Sequence, residues 1–340
     1  MRIGILNGGG DCAGLNAVTR AVVRISEELG YEVVGIKHGW AGLLNADTFS
    51  LKWADVSEII KVGGTILHTT RTNPFGRKEG PETVLVNAKK LELDAVIAVG
   101  GEDTLSVAAK LAKMGLNVVG VPKTIDNDIV GTDVTFGFDS AVNVTVDAID
   151  RIQTTGESHD RIMIVEVMGR HAGWIAAYAG IASGANLVLL PEEPFDLEEV
   201  SDFLRKRHAS GATASVIVVG EGCGLKGSPP GDPTKVDEFG HARLGGIGDL
   251  LAKEIERRTG IETRAVVLGH VVRGGPPSAY DRILATRLGV AAVQAVKDRD
   301  YGVMVCLHDN AMSRVPLADI LGKMKKADEE TISLVKDFSI

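Results

Sequence analysis

The sequence predicts a doubly wound α/β protein with largely parallel sheets, and three observations carry that expectation. Short β-branched runs alternate with longer helical patterns along most of the chain. Glycine is abundant, at 41 of 340 residues, and aromatics make up only 4%, which suits many tight strand-to-helix turns. The interesting polar clusters follow strand-like runs directly, and open α/β sheets hold ligands at the carboxyl ends of their strands.

Taken in order, Ile3–Leu6 reads as a strand and Leu15–Glu28 as a helix, followed by a strand at Glu32–Ile36 and a helix at Thr83–Leu91. Ala95–Val99 and Asn117–Val121 read as strands around the helix Thr104–Lys113, and a long helix covers Ala141–Thr154. The same alternation continues with strands Ile162–Val167, Leu187–Leu190, Ser215–Val219, Ala265–Leu268 and Val303–Leu307. The intervening helices are Ala172–Ala182, Leu197–His208, Ile247–Arg258 and Tyr280–Lys297. Two stretches read as joints: the polar bridge 126–139, and a Gly-, Pro- and charge-rich excursion at 221–246 whose plain reading is a surface hairpin.

The composition narrows the function. A net charge of −8 argues against nucleic acid or an anionic membrane as the main partner, while a few placed Arg and Lys still suffice for a small anionic substrate. Cys12, Cys223 and Cys306 are far apart and lack metal spacing, which fits a reducing cytoplasm. The N-terminus MRIGILNGGG enters a strand and a glycine loop at once, so no signal peptide is expected, and no apolar run approaches the roughly 18 residues of a membrane span.

Four clusters carry candidate chemistry. NGGGDCAG, 7–14, stands between a strand and a helix; it suits either phosphate binding or a tight structural turn, and lacks the G-K-[ST] ending of a P-loop. GGEDT puts Glu102 and Asp103 at a second strand-to-helix turn. PKTIDND, 122–128, gathers Lys123, Thr124, Asp126 and Asp128 in one loop. Either aspartate suits a base for phosphoryl transfer, with Lys123 and Thr124 holding phosphate; a capped turn would use the same residue types. Arg170 in VEVMGRHAGW, Arg161 in SHDR, and Arg264, His270 and Arg273 in ETRAVVLGHVVRGG crowd strand ends in an acidic protein, which suits a sugar phosphate or similar polyanion.

Together these blocks, with GGTILHTTRTNPF and PPSAYDRILATRLG, closely resemble the bacterial phosphofructokinase family, in the family's order and from Met1 to about Leu307. NAD kinases and diacylglycerol kinases share only the GGD-like turn. The resemblance implies two α/β domains with the active site in the cleft between them. Residues 1–137 plus about 272–322 would form a larger donor-binding domain, and 138–271 plus about 323–340 a smaller sugar-phosphate domain. It implies Asp126 as the base toward the 1-hydroxyl of fructose 6-phosphate, Thr124 and Arg170 steadying the transferred phosphoryl group, and Asp128 orienting Asp126 and the metal site. It implies Glu102 as a ligand of Mg²⁺, and Gly10 and Arg71 toward the phosphoryl donor. Met168, Gly169, Glu221, His270 and Arg273 would hold the sugar phosphate, with Arg161 and Arg264 reaching in from a neighbouring subunit, hence a homodimer or homotetramer.

Two departures bear on the donor. Nucleotide-dependent members typically read GGDG where this chain has Gly100, Gly101, Glu102 and Asp103, and commonly carry glycine where it has Lys123. In the family an aspartate and a lysine at these places go with pyrophosphate. Asp103 also suits a helix N-cap before Thr104. A third departure concerns regulation: Arg20 and Arg24 match a basic effector pocket, whereas Trp53 and Gln153 stand at two other expected basic positions. The expected activity is therefore reversible phosphoryl transfer from pyrophosphate to fructose 6-phosphate, with little effector control. The rivals are an ATP-dependent enzyme, the same chemistry on sedoheptulose 7-phosphate, and a non-catalytic sugar-phosphate sensor.

Overall fold

A computed structural model describes residues 1–227, 232–236 and 242–339. The chain divides into two units, Met1–Ser140 with Arg273–Met324, and Ala141–Val272 with Lys325–Ile340. The strands in chain order are β1 (Arg2–Gly8), β2 (Glu32–Ile36), β3 (Thr48–Leu51), β4 (Ala95–Gly100), β5 (Val118–Thr124) and a short β6 (Phe136–Gly137) in the first unit. The second unit carries β7 (Ile162–Val167), β8 (Leu187–Leu189), β9 (Ser215–Gly220), β10 (Asp232–Val236), β11 (Ala242–Arg243) and β12 (Thr263–Val267). The chain then returns to the first unit with β13 (Val303–His308) and β14 (Ala311–Pro316).

The sheet of the first unit runs β14-β13-β5-β4-β1-β2-β3, with β6 beside β5. Its inner pairs are parallel, and β3 and β14 close the two edges antiparallel. The inner strands are apolar runs because helices cover both faces: Ile3, Ile5, Leu6 and Val96 to Val99 are inaccessible to solvent. The second unit holds a parallel sheet, β12-β7-β9-β8, over a core that includes Ile164, Leu189, Phe195, Ile217, Leu251 and Ile255.

The structure corrects the sequence reading in several places. The edge strands β3 and β14 were not expected, because one wet side leaves them without a continuous apolar run: β14 reads AMSRVP and is nowhere fully buried. The stretch 126–139 leads directly to the division between the units after Ser140, as expected of a joint, but it is packed: Ile129, Thr135 and Phe136 are buried and β6 pairs with β5. The helix expected from Thr104 begins at Glu102 with Gly101 as its N-cap, so Asp103 is the second helical residue rather than the cap. Of the excursion, β10 and β11 pair antiparallel, while 228–231 and 237–241 lie outside the described residues.

Candidate active site

In the first unit, β1 lies between β2 and β4, so the connection out of β1 runs toward β2 on one side and the connection out of β4 runs toward β5 on the other. That arrangement opens a crevice at the carboxyl ends of β1 and β4. Gly8 pairs with Gly100 and Gly100 with Pro122, which sets the three following loops level with one another.

Two cations fold over the glycine loop that follows β1. Lys123 Nζ donates to the Gly10 carbonyl, and Arg273 Nη1 donates to the Asp11 carbonyl at 3.1 Å. The Arg273 guanidinium lies so close to Gly10 that any side chain there would strike it. Lys123 is only 3% exposed. Burial pushes its ammonium below the ordinary lysine range and Arg273 adds to this, while Asp126 and Asp11 act against it. Burial also pushes the neighbouring Cys12 thiol up to about 12, so it stays protonated at neutral pH. Arg71 is exposed, and its segment is laced to the same loop: Gly9 N–H donates to Thr70 O at 3.0 Å and Thr69 Oγ1 to Gly9 O at 2.6 Å.

The loop after β5 is held from behind. Asp126 N–H donates to Thr124 Oγ1 at 3.0 Å, Thr135 N–H to Asn127 Oδ1 at 3.1 Å, and Thr135 Oγ1 to the Thr124 carbonyl at 2.8 Å. Asn127 takes a left-handed φ of 53°, which suits asparagine. These restraints leave Asp126 at 5% exposure with a buried Oδ1 that has no hydrogen-bond partner among the described residues. Asp128 is half-buried in the same loop. Thr135, on which the loop rests, carries no signal in the sequence beyond a hydroxyl in a turn. Glu102 and Asp103 are half-buried at the helix N-terminus, and Glu102 Oε1 accepts from Ser106 Oγ at 3.1 Å.

In the second unit, Val167 pairs with Gly220 and Glu166 with Val267, which sets Met168 to Arg170, Glu221 and the loop bearing His270 at one carboxyl edge. Glu221 Oε1 accepts the N–H groups of Gly169 at 3.3 Å and Arg170 at 3.1 Å. Those two residues have φ of 143° and 52°, so the turn bends where only glycine is at ease and the carboxylate fixes it there. His270 is exposed in the short helical turn Gly269–Arg273.

Arg161 and Arg264 stand at the opposite, amino edge of this sheet. Arg161 immediately precedes β7, and Arg264 is the second residue of β12, paired with Met163. Both guanidiniums bind Glu262, Arg161 at 2.8 Å, and Arg161 above all holds that carboxyl below the ordinary range. Glu166, which sequence reasoning missed, is 2% exposed; it accepts Gly246 N–H at 3.0 Å and Gly248 N–H at 2.8 Å at the start of the helix Ile247–Thr259. A lone charge inside the apolar run IMIVEV was its available signal. Among the described residues, no helix is long and apolar enough to cross a membrane.

The phosphofructokinase family model matches residues 2–296. A relative from Amycolatopsis methanolica, named pyrophosphate–fructose 6-phosphate 1-phosphotransferase, is 53% identical over 332 residues, 97% of each chain. One from Streptomyces coelicolor, named ATP-dependent 6-phosphofructokinase 3, is 49% identical over 96% of each chain. The structure titled as a pyrophosphate-dependent phosphofructokinase from Marinobacter aquaeolei has the same fold, with a TM-score of 0.84 over 99% of this chain and 91% of that one, at 21% identity. With a family model spanning most of the sequence and relatives near half identity along its whole length, this chain belongs to the phosphofructokinase family.

Proposed function

We propose that this enzyme transfers a phosphoryl group from pyrophosphate to the 1-hydroxyl of fructose 6-phosphate, reversibly and with Mg²⁺. The observation that carries the reading is Asp126, a buried carboxylate whose Oδ1 has no hydrogen-bond partner among the described residues, on a loop at the carboxyl edge of the first sheet. An acceptor left open in this way is available to a substrate hydroxyl. Thr124 and Arg170 steady the transferred group, and Asp128 orients the base. Met168, Gly169, Glu221, His270 and Arg273 receive the sugar phosphate; Arg273 also has its hold on the glycine loop.

Lys123, Gly10, Arg71 and Asp103 form the donor side. A buried ammonium below its ordinary range gains most from a polyanion arriving beside it, which supports a compact donor at Lys123. Glu102 suits a divalent cation. Its half-buried carboxylate receives one hydrogen bond, from Ser106, and Mg²⁺ sites take one or two protein carboxylates together with substrate phosphates and water. When bound, the ion neutralises phosphate oxygens.

Initial rates with fructose 6-phosphate and Mg²⁺ test the donor. Turnover is expected with pyrophosphate and not with ATP freed of pyrophosphate; turnover with ATP alone overturns the donor reading and keeps the family. The ATP-dependent name of the Streptomyces coelicolor relative is the specific observation behind that second reading. Arg161 and Arg264 complete a neighbour's site in this reading, which makes the working form an oligomer, and the three buried free cysteines suit a cytoplasmic enzyme.

Effector control is expected to be weak. Arg20 and Arg24 stack on Trp53, with guanidinium carbons 4.6 and 5.4 Å from the ring centroid, while Arg20 Nε donates to Ser57 O at 3.0 Å and Arg24 pairs with Glu28 at 2.8 Å. Both arginines are thus already engaged. Adding ADP or phosphoenolpyruvate should leave KM for fructose 6-phosphate within about twofold, a shift worth less than ~0.5 kcal/mol; a several-fold change counts against this.

A further inference from the structure

We infer that Glu192 is a positioning residue for the Arg170 turn and that it ties this turn to the C-terminal segment. Glu192 lies shortly after β8, away from every block that marks the family, and no catalytic role rests on it. Its Oε1 accepts two backbone N–H groups from distant parts of the second unit: Gly173 at 2.9 Å and Ala327 at 2.8 Å. Gly173 is the N-cap of the helix Trp174–Ala182 and has no side chain to cap with. Glu192 accepts the N–H of this N-cap residue itself, the bond that the glutamate of a capping box makes, at the helix end where a carboxylate is electrostatically favoured.

Gly173 stands three residues after Arg170. The turn 168–173 is therefore clasped by two carboxylates, Glu221 on the N–H groups of Gly169 and Arg170, and Glu192 on that of Gly173. The left-handed φ of Arg170 needs such restraint to persist. Ala327 belongs to the segment that returns to this unit at Lys325, and the same segment is fastened to the helix and to the loop after β8 by other contacts. Trp174 Nε1 donates to Lys325 O at 3.1 Å, Lys325 Nζ lies 5.4 Å from the centre of the Trp174 ring, and Lys336 pairs with Glu193 at 2.6 Å. One oxygen of Glu192 thus joins the Arg170 turn to the C-terminal segment, while Oε2 is buried with no hydrogen-bond partner among the described residues. An apolar residue would leave both N–H groups unpaired, whereas glutamine keeps the acceptor.

The inference rests on the assignment of Arg170 to the transferred phosphoryl group. Its test compares Glu192→Ala and Glu192→Gln in the full-length enzyme, with whichever donor the wild type uses. Glu192→Ala should lower kcat about 10- to 100-fold with KM for the donor nearly unchanged, the scale of a misplaced catalytic group, and Glu192→Gln should restore most of it. The emission of Trp174, taken as the difference between each protein and its Trp174→Phe partner, should shift to the red in Glu192→Ala and stay in place in Glu192→Gln. An unchanged kcat in a folded Glu192→Ala, or equal losses in both variants, overturns the inference. A shifted Trp174 emission with unchanged kcat overturns it as well, because the clasp would then hold the fold without positioning Arg170. An inactive wild type would instead refute the proposed function, and the emission measurement would still test the clasp.

Discussion

Replacing Asp126 with serine should lower the rate with fructose 6-phosphate about 10²- to 10⁴-fold, the usual worth of a positioned general base. KM for the sugar phosphate should change little, because the groups assigned to hold it lie on other loops. Stability should change far less than activity. Asp126 Oδ1 has no hydrogen-bond partner among the described residues, so its removal leaves no donor orphaned, while the attraction it gives the buried Lys123 ammonium is lost. A melting temperature close to that of the wild type, with the rate lost, is the signature of a group kept for chemistry. An unchanged rate sinks the role of Asp126 and revives the sensor reading. A lost rate with a much lower melting temperature indicates a structural role instead.

Replacing Asp103 with glycine should let the enzyme use ATP. A carboxylate facing the α-phosphate of ATP at ~4 Å, with an effective dielectric of ~20, is repelled by about 4 kcal/mol. That corresponds to nearly three orders of magnitude in affinity. Glycine removes both the charge and the bulk, so kcat/KM for ATP should rise by up to ~10³. The structure sets the stability cost. Asp103 is the second residue of the helix Glu102–Lys113, where its charge complements the helix dipole. Losing that charge and introducing glycine should destabilise the protein by about 1–2 kcal/mol. ATP activity is measured after pyrophosphatase treatment. A folded variant with no gain leaves Asp103 as a helix-terminus charge and separates donor choice from this position.

The inner strands and the two glycine turns were legible because strands covered on both faces must be apolar and their loops must be small. Ile162–Val167 and Glu32–Ile36 were read to the residue for that reason. The edge strands β3 and β14 escaped because half their surface is wet. Asp126 stood out as a carboxylate in a short polar loop, but nothing in PKTIDND distinguishes a base from a turn residue. The observation behind its proposed role as base is that Thr135 and Asn127 turn their hydrogen bonds to the backbone and leave Asp126 Oδ1 without one among the described residues.

What the amino-acid sequence determined by itself is the alternation of elements, the family and a set of candidate site residues, since these depend on local pattern and residue type. Tertiary structure alone decided which of those residues meet. Arg264 and His270 are six residues apart, yet β12 carries them to opposite edges of its sheet. Arg273 is distant in sequence from Gly10 and rests on it. Strand order and register act over the whole chain, so the partners of Glu166, Glu192 and Arg273 are set by which backbone groups the packing leaves without a bond, a quantity that no local stretch of sequence contains.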